Sequence, residues 1–458
     1  MKVLFASSEM YPYSKSGGLG DVAHSLPLAL REVCEIIPIT PLYRFIDRKK
    51  FGLHSLGSVY TLKMGSKTYC YELFQVKESD TLFVYNDILC ETEALYGYDN
   101  DGLRFGLFSR MVAEIAKKMQ VDIVHLNDWH TALTALFLKS ESIKTVLTIH
   151  NLAYQGVFNR KVLKKLAIDK KYFTMENLEF YGKANFLKAG IAYSEKITTV
   201  SPSYAKEILT VRFGCGLDGF LTKHRRKLTG ILNGIDTVCF DPEHDRALYA
   251  NFSADHVGKK AANKKAYYKN LGVKSSKKPL FIFIGRLVEQ KGISVIAASL
   301  KDLSAEPLEF VMLGEGEAKT EKKLSELSDK YGNIHYLKGY DEALSRQLYA
   351  AADFLLMPSL FEPCGLNQMI AARYGAVPIV HATGGLKDSV FEEKKKCIRG
   401  IVFESYSKKS CLHAVRRALA LYGNKKACLK MAEFDMQCDV SFRKSAKAYM
   451  KLYKEMTA

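Results

Sequence analysis

What the chain lacks narrows it first. Its ten cysteines never stand as a C-x-x-C pair. That spacing suggests neither a zinc clip nor a redox dithiol, so reduced, mostly buried thiols are expected. No apolar stretch reaches the ~20 residues a membrane-spanning helix needs. The opening "MKVLFASSEMYPYS" is too poor in apolar residues for a secretory leader. A cytoplasmic chain with no membrane partner is therefore expected.

Acidic residues are outnumbered, 49 against 67 basic ones, for a net charge of +18. Such an excess favours anionic partners through long-range attraction. The lysines are scattered, however: "KVLKKL", "KHRRKL", "GKKAANKKAYYKN", "EEKKKCIRG" and "GNKKACLK" read as solvated helix faces or loops. No recognisable nucleic-acid module accompanies them, so no nucleic-acid partner is expected. Nor does any His/Asp/Glu/Cys set show zinc-like spacing. "YDND" carries D-x-D at Asp99 and Asp101, a pattern by which some sugar transferases hold a metal, but it lies in a Tyr/Asn/Gly loop. No metal and no cofactor are expected.

What is present is an ordinary globular balance, 48% hydrophobic and 25% charged over 458 residues. Short apolar, β-branched runs recur, each followed by punctuation and a helix-like segment: "KVLFAS", "VDIVHLND", "KTVLTIHN" and "KITTVSPS", then "PLFIFIGR", "LEFVMLGEGE", "ADFLLMPS" and "AVPIVHATGG". Strands this apolar, alternating with helices, predict parallel sheets covered on both faces. The turn-rich "GILNGIDTVCFDPEHD" separates the two groups. The expectation is an α/β chain of two doubly wound domains, 1–240 and 241–440, with a cleft between them. The tail 441–458 places Phe442, Ala446, Tyr449, Met450, Tyr453 and Met456 on one helical face behind a cap at Asp439 or Ser441. That stripe is expected to pack on a core, crossing back to the N-terminal domain.

Open α/β sheets bind ligands at the carboxyl ends of their strands, so the polar residues that end each strand are the candidates. "KSGGLGD" puts Lys15 before Gly17, Gly18 and Gly20 where a strand turns into a helix. Backbone amides, a helix dipole and one mobile cation would make an anion cradle there, although a tight connection needs glycine anyway. The spacing is neither the dinucleotide fingerprint nor a P-loop. "FIFIGRLVEQKGIS" sends Arg286 and Lys291 from one strand edge, a pair suited to a diphosphate. In "MPSLFEPCGLNQM", Glu362 stands near a helix start, where a functional carboxylate and a capping one look alike. "ATGGL" repeats the glycine turn at Thr383, Gly384 and Gly385. "HLNDWHTAL" and "TIHNLAYQG" end strands in Asp128 and His130, then His150 and Asn151. The Tyr96/Tyr98 loop reads as a sugar platform or a surface turn.

Taken in order, "KSGGLGD", "NDWHTAL", "TIHNLAYQG", "NFLKAGI" with "TTVSPSYAKEI", "GLDGFL", "ILNGID", "GRLVEQKG" and "FEPCGLNQM" with "TGGL" resemble bacterial glycogen synthases and their starch-synthase relatives, over nearly the whole chain. The resemblance implies a GT-B fold and a retaining glucosyltransferase that moves glucose from ADP-glucose to the non-reducing end of an α-1,4-glucan without a metal. It also implies roles. Lys15, with the backbone of Gly17 and Gly18, would meet the donor, and Asp21 would shape that loop. Asp128, His150, Asn151 and Asn233 would line the glucose site. Arg286 and Lys291 would hold the diphosphate and Glu362 the glucose. Cys364, Gly365 and Leu366, with Thr383, Gly384 and Gly385, would complete the donor pocket. Many other retaining transferases of this fold carry a second glutamate eight residues after the first; here Ile370 takes that place, and Gln368 matches the starch-synthase pattern. Ser16, Asn127, Phe240 and the His381–Ala382 pair depart from the usual residues, the last where an arginine often stands. A nicotinamide oxidoreductase would need a fingerprint that "LGEGEAKTE" does not complete. A non-catalytic relative would have lost some of Lys15, Arg286, Lys291 or Glu362, and a phosphorylase would use a pyridoxal-phosphate lysine, which spacing leaves open.

Overall fold

The computed structural model describes residues 1–458 apart from 78, 271–276 and 394–396. The three lysines of "EEKKKCIRG" thus lie outside the described residues. The chain divides into two compact units, Met1–Asn233 with Phe442–Ala458, and Gly234–Ser441. The break falls before residue 240 because the 239–241 stretch is tied to the second unit. Arg346 donates to the Cys239 carbonyl, and Arg373 reaches the Phe240 carbonyl and the Asp241 carboxylate at 3.0 Å.

A nine-stranded sheet forms the first unit, in the order Leu228–Gly230, Lys196–Thr199, Lys144–Ile149, Ile123–Asn127, Lys2–Ala6, Glu35–Pro41, Leu82–Tyr85, Lys67–Val76, Leu53–Met64. Pairing is parallel from Leu228–Gly230 through Leu82–Tyr85, with Val3 opposite both Ile36 and Ile123. The last two strands join as an antiparallel hairpin that the hydrophobic pattern did not predict. Its outer strand, Leu53–Met64, is mostly exposed, so no apolar run marks it.

One face of this sheet is covered by the helices Gly18–Leu30 and Arg443–Thr457, which share a core with Val3, Phe5, Ile36, Ile123 and Val146. Phe442, Ala446, Tyr449 and Tyr453 of the tail are buried there as expected, but Leu452 fills the place given to Met450. Neither expected cap operates. The N-cap position is Phe442, without a side-chain cap, and Asp439 instead accepts from the Ser441 amide and hydroxyl. Beneath the helix lies a fully buried polar chain. His125 contacts the Tyr453 hydroxyl through Nδ1 at 2.5 Å and the Thr148 hydroxyl through Nε2 at 2.6 Å, and Thr148 continues to Thr198 at 2.6 Å. Burial pushes the His125 imidazole down to about 3, so it is neutral and one ring nitrogen donates while the other accepts.

The second unit is a six-stranded, all-parallel sheet: Ile334–Lys338, Glu309–Gly314, Leu280–Ile284, Phe354–Met357, Val377–His381, Ile401–Phe403. Numbered within the unit, this is the 3-2-1-4-5-6 order of a doubly wound sheet. In its lysine-rich segment Lys259, Lys265 and Lys269 are exposed as expected, but Lys260 and Lys264 are not. Lys260 donates to the carbonyls of Tyr349 (2.8 Å) and Tyr374 (2.7 Å), and Lys264 meets the Asp353 carboxylate at 2.5 Å. Likewise Lys227 of "KHRRKL" donates to the Ala192 and Ser194 carbonyls in the first unit. Among the described residues no helix is long and apolar enough to cross a membrane.

Candidate active site

Each sheet reverses strand order once near its middle, which opens a crevice at the carboxyl ends of the strands there. In the second unit the reversal lies between Leu280–Ile284 and Phe354–Met357. The two loops leaving these strands meet. Leu360 donates its amide to the Gln290 carbonyl, and Lys291 Nζ lies 2.6 Å from Glu362 Oε2, which also accepts from the Ser359 hydroxyl. Two glycines allow this approach. Gly292 has φ 78°, and a Cβ there would sit 1.9 Å from the Pro358 carbonyl; a Cβ on Gly385 would sit 2.2 Å from the Cys364 carbonyl. The Glu362 side chain is 5% exposed. It caps no helix: the helix Asn367–Arg373 has Leu366 at its N-cap and no side-chain cap, which removes the capping alternative.

Arg286, by contrast, is exposed, with a long 3.5 Å contact to Gln290. Cys364 and Thr383 are buried beside Glu362, and Gly385 donates its amide to the Glu362 carbonyl. Gln368 is fully buried, its amide nitrogen bonded to the carbonyls of Cys364 and Gly365 and to the Ser389 hydroxyl. It fixes the turn at Gly365, whose φ is 73°. Ile370, in the place of a second carboxylate, is a buried core residue. His381 faces the carbonyls of Ser359 and Glu404, so it braces the loop that carries Glu362.

In the first unit the reversal lies between Lys2–Ala6 and Ile123–Asn127. The loop after Lys2–Ala6 carries Lys15, whose ammonium is 2.7 Å from Asp21 Oδ1. The sequence reading missed the residue that shapes this loop. Glu9, 3% exposed, accepts from the Ser16 amide (2.7 Å), the Ser16 hydroxyl (2.6 Å), the Gly17 amide (3.3 Å) and the Tyr96 hydroxyl (2.7 Å). The Gly17 amide, one of those expected to cradle an anion, is therefore already bonded, as is the Ser16 amide before it, and an anion would have to use those from Gly18 onward. Glu9 is the first acid beyond the "KVLFAS" strand, so the strand-end rule could have found it. Tyr96 is thus neither free platform nor surface turn but a strut. Asp101 is spent on the Arg104 guanidinium and the amides of Gly97 and Tyr98.

Asp128 leaves its strand at φ 54°, an unusual conformation for a residue other than glycine. Its carboxylate accepts from the His150 amide at 2.7 Å. Burial raises it to about 7 against the lowering by the His150 and Asn151 amides. His150 is pushed down to about 3 by burial. Asn127 donates to the Ala6 carbonyl and presents its oxygen 2.8 Å from His150 Nε2. That assigns the proton to Nε2 and leaves Nδ1 as an acceptor. Asn233 is 5% exposed, and its amide oxygen is buried with no hydrogen-bond partner, which fits a place for a ligand donor.

The chain that carries these two edges is similar to known proteins over nearly its whole length. Residues 2–223 match the family described as starch synthase catalytic domain, and 267–434 that of glycosyl transferases group 1. The structure is similar to the catalytic domain of starch synthase IV from Arabidopsis thaliana bound to ADP and acarbose (TM-score 0.92, 32% identity, 99% of both chains). Sucrose-phosphate synthase from Thermosynechococcus elongatus shares the fold, at TM-score 0.65 and 15% identity over 100% of this chain and 99% of the other. The molecule is a glycosyltransferase enzyme of the GT-B fold. Among curated proteins, the glycogen synthase of Aquifex aeolicus is 42% identical over 100% of this chain and 99% of its own, and that of Thermodesulfovibrio yellowstonii 39% over 99% and 97%. The chain belongs to the family of bacterial glycogen synthases and starch synthases.

Proposed function

We propose that this chain lengthens α-1,4-glucans in the cytoplasm, transferring glucose from ADP-glucose to the non-reducing end with retention of anomeric configuration. The relatives named glycogen synthase and the neighbour solved with ADP and acarbose support that substrate pair. The observation that carries the reading is the Lys291–Glu362 pair, with Arg286 on the same loop, at the switch point of the second unit.

In this reading Arg286 and Lys291 take the diphosphate, whose negative charge grows as the bond to glucose breaks. Lys291 then exchanges its carboxylate partner for phosphate, and Glu362 is released to offset positive charge developing on the sugar. Cys364, Gly365, Leu366 and Thr383 to Gly385 hold the turn on which Glu362 stands. In the first unit Lys15, steered by Asp21, contributes one cation. Asp128, His150, Asn151 and Asn233 contribute hydrogen bonds to sugar hydroxyls, and a His150 pushed to about 3 stays uncharged near an oxocarbenium-like centre. The leaving phosphate accepts the proton of the attacking hydroxyl, so no separate base, metal or organic cofactor is required.

The test is glucose incorporation into glycogen with ADP-glucose and UDP-glucose side by side, with the new linkage assigned by NMR. Faster α-1,4 incorporation from ADP-glucose is expected. Incorporation from neither donor, or a β-linked product, would overturn the proposal.

A further inference from the structure

Cys397 and Cys438 belong to no part of the site described above. Cys397 lies in the loop between the helix Gly384–Ser389 and the strand Ile401–Phe403, and Cys438 just follows the helix Lys425–Met436. Both are half-buried and reduced. Their side chains hydrogen-bond each other. The Ile398 amide, which adjoins Cys397, donates to Cys438 Sγ at 3.2 Å, and the next amide, of Arg399, donates to Asp435 Oδ1 at 2.7 Å. The two segments are thus zipped together by successive backbone bonds that hold one thiol against the other. Ile398 pays for this with φ 47°, an outlier for a β-branched residue.

We propose that Cys397 and Cys438 are a reversible thiol–disulfide site, oxidised by low-molecular-weight disulfides. The surroundings set the order of events. Hydrogen bonding to Cys397, then burial, raises the Cys438 thiol far above its ordinary value, so Cys438 keeps its proton. Asp435, pushed up to about 8 mainly by burial, is largely uncharged at neutral pH and does not repel a thiolate. The Arg399 guanidinium stands beside it over the Phe434 ring. With Cys438 holding its proton, Cys397 is the thiol we assign to the first attack.

Its thiolate attacks one sulfur of the small disulfide and expels one thiolate, leaving a mixed disulfide on Cys397. That thiolate takes the Cys438 proton. Cys438 sulfur then attacks Cys397 sulfur and expels the second thiolate, which is protonated by solvent. Two protein thiols lose two electrons and two protons, and one small disulfide becomes two thiols. The bridge closes a loop on the order of 40 residues, within the range where a cross-link constrains the unfolded chain. It fastens the segment behind the Thr383–Gly385 turn to the last helix of the second unit.

The experiment equilibrates the intact chain with glutathione mixtures of graded oxidation, alkylates with iodoacetamide and maps the peptides by mass. A peptide joining Cys397 to Cys438, formed with the loss of two thiols and reversed by dithiothreitol, is the expected result. In Cys438→Ser the Cys397 peptide is expected to carry glutathione instead, because the resolving thiol is gone. Glutathione on Cys397 in the unsubstituted chain without the joined peptide would overturn the proposal. So would modification confined to the exposed Cys70 and Cys215.

Discussion

The carboxyl edges of the two sheets solve opposite problems. In the second unit, opposite charges are paired, Lys291 against Glu362, with Arg286 exposed on the same loop. In the first, burial drives the deepest ionisable groups toward neutrality, His150 falling to about 3 and Asp128 rising to about 7, while the shallower Lys15–Asp21 pair stays ionic. The same fold thus makes one edge fit for a charged leaving group and the other for uncharged hydroxyls. What differs is not the topology but which side chains the strand ends carry and how deeply each is sunk.

The largest expected effects break the charged edge. Lys291→Ala and Arg286→Ala should each lower kcat by roughly 10²–10³-fold. Turnover close to the unsubstituted enzyme in both, measured with ADP-glucose and glycogen, would remove the second unit from the chemistry. Circular dichroism melts separate this from misfolding, since Lys291→Ala also strands a buried carboxylate.

Smaller effects probe the first unit, where buried hydrogen bonds hold the shape of the edge. Tyr453→Phe leaves one nitrogen of buried His125 without its partner and should cost about 1–3 kcal/mol. Glu9→Gln trades charge-assisted bonds at Ser16 and Gly17 for weaker ones, a loss of about 1 kcal/mol in stability. It should loosen the Lys15 loop, raising KM for the donor more than it lowers kcat. Unchanged KM with intact folding would show that the loop needs no such anchor.

Eight parallel strands, from Lys2–Ala6 to Val377–His381, were legible because they are sunk in the sheets and read as apolar runs, whereas Leu228–Gly230 and Ile334–Lys338, only partly buried, left none. The Leu53–Met64 hairpin was hidden for the same reason, since an exposed edge strand leaves no hydrophobic trace. Of the site, the strand-end residues were visible singly, but their pairing was not. Lys291 and Glu362 are separated by 71 positions, and only the 3-2-1-4-5-6 order brings their loops together. The role of Glu9 was illegible because its partners, the Ser16 and Gly17 amides, lie seven and eight positions on and carry no side-chain signature. Lys260 and Lys264 were misread because a lysine bonded to the carbonyls or carboxylate of a neighbouring element and one in solvent share the same letter.

The subtlest prediction contrasts the two units by acid. In the first, the fully buried His125 and His150 are held near 3 and His130 well below its ordinary value, against 6.5 when unfolded. The folded unit therefore binds fewer protons than the unfolded chain as pH falls below 6.5, and stability is lost. Asp128 acts the other way. Raised from 3.8 to about 7, it holds a proton in the fold that the unfolded chain has released, so its contribution improves on acidification. Three histidines outweigh one carboxyl, and the first unit should weaken between pH 6.5 and 4.5 by on the order of 2 kcal/mol per pH unit. In the second unit Asp435, raised from 3.8 to about 8, dominates this window, so that unit should hold or gain stability. Trp129, the single tryptophan of the chain, lies in the first unit and reports on it alone. Its fluorescence melt should move to lower temperature across this window while amide exchange in Leu280–Ile284 does not accelerate. Asp128→Asn should steepen the fluorescence trend by removing the opposing carboxyl. A Trp129 midpoint that stays level or rises on acidification would mean the histidines of this edge are not held neutral by burial, and the contrast between the two edges would fail.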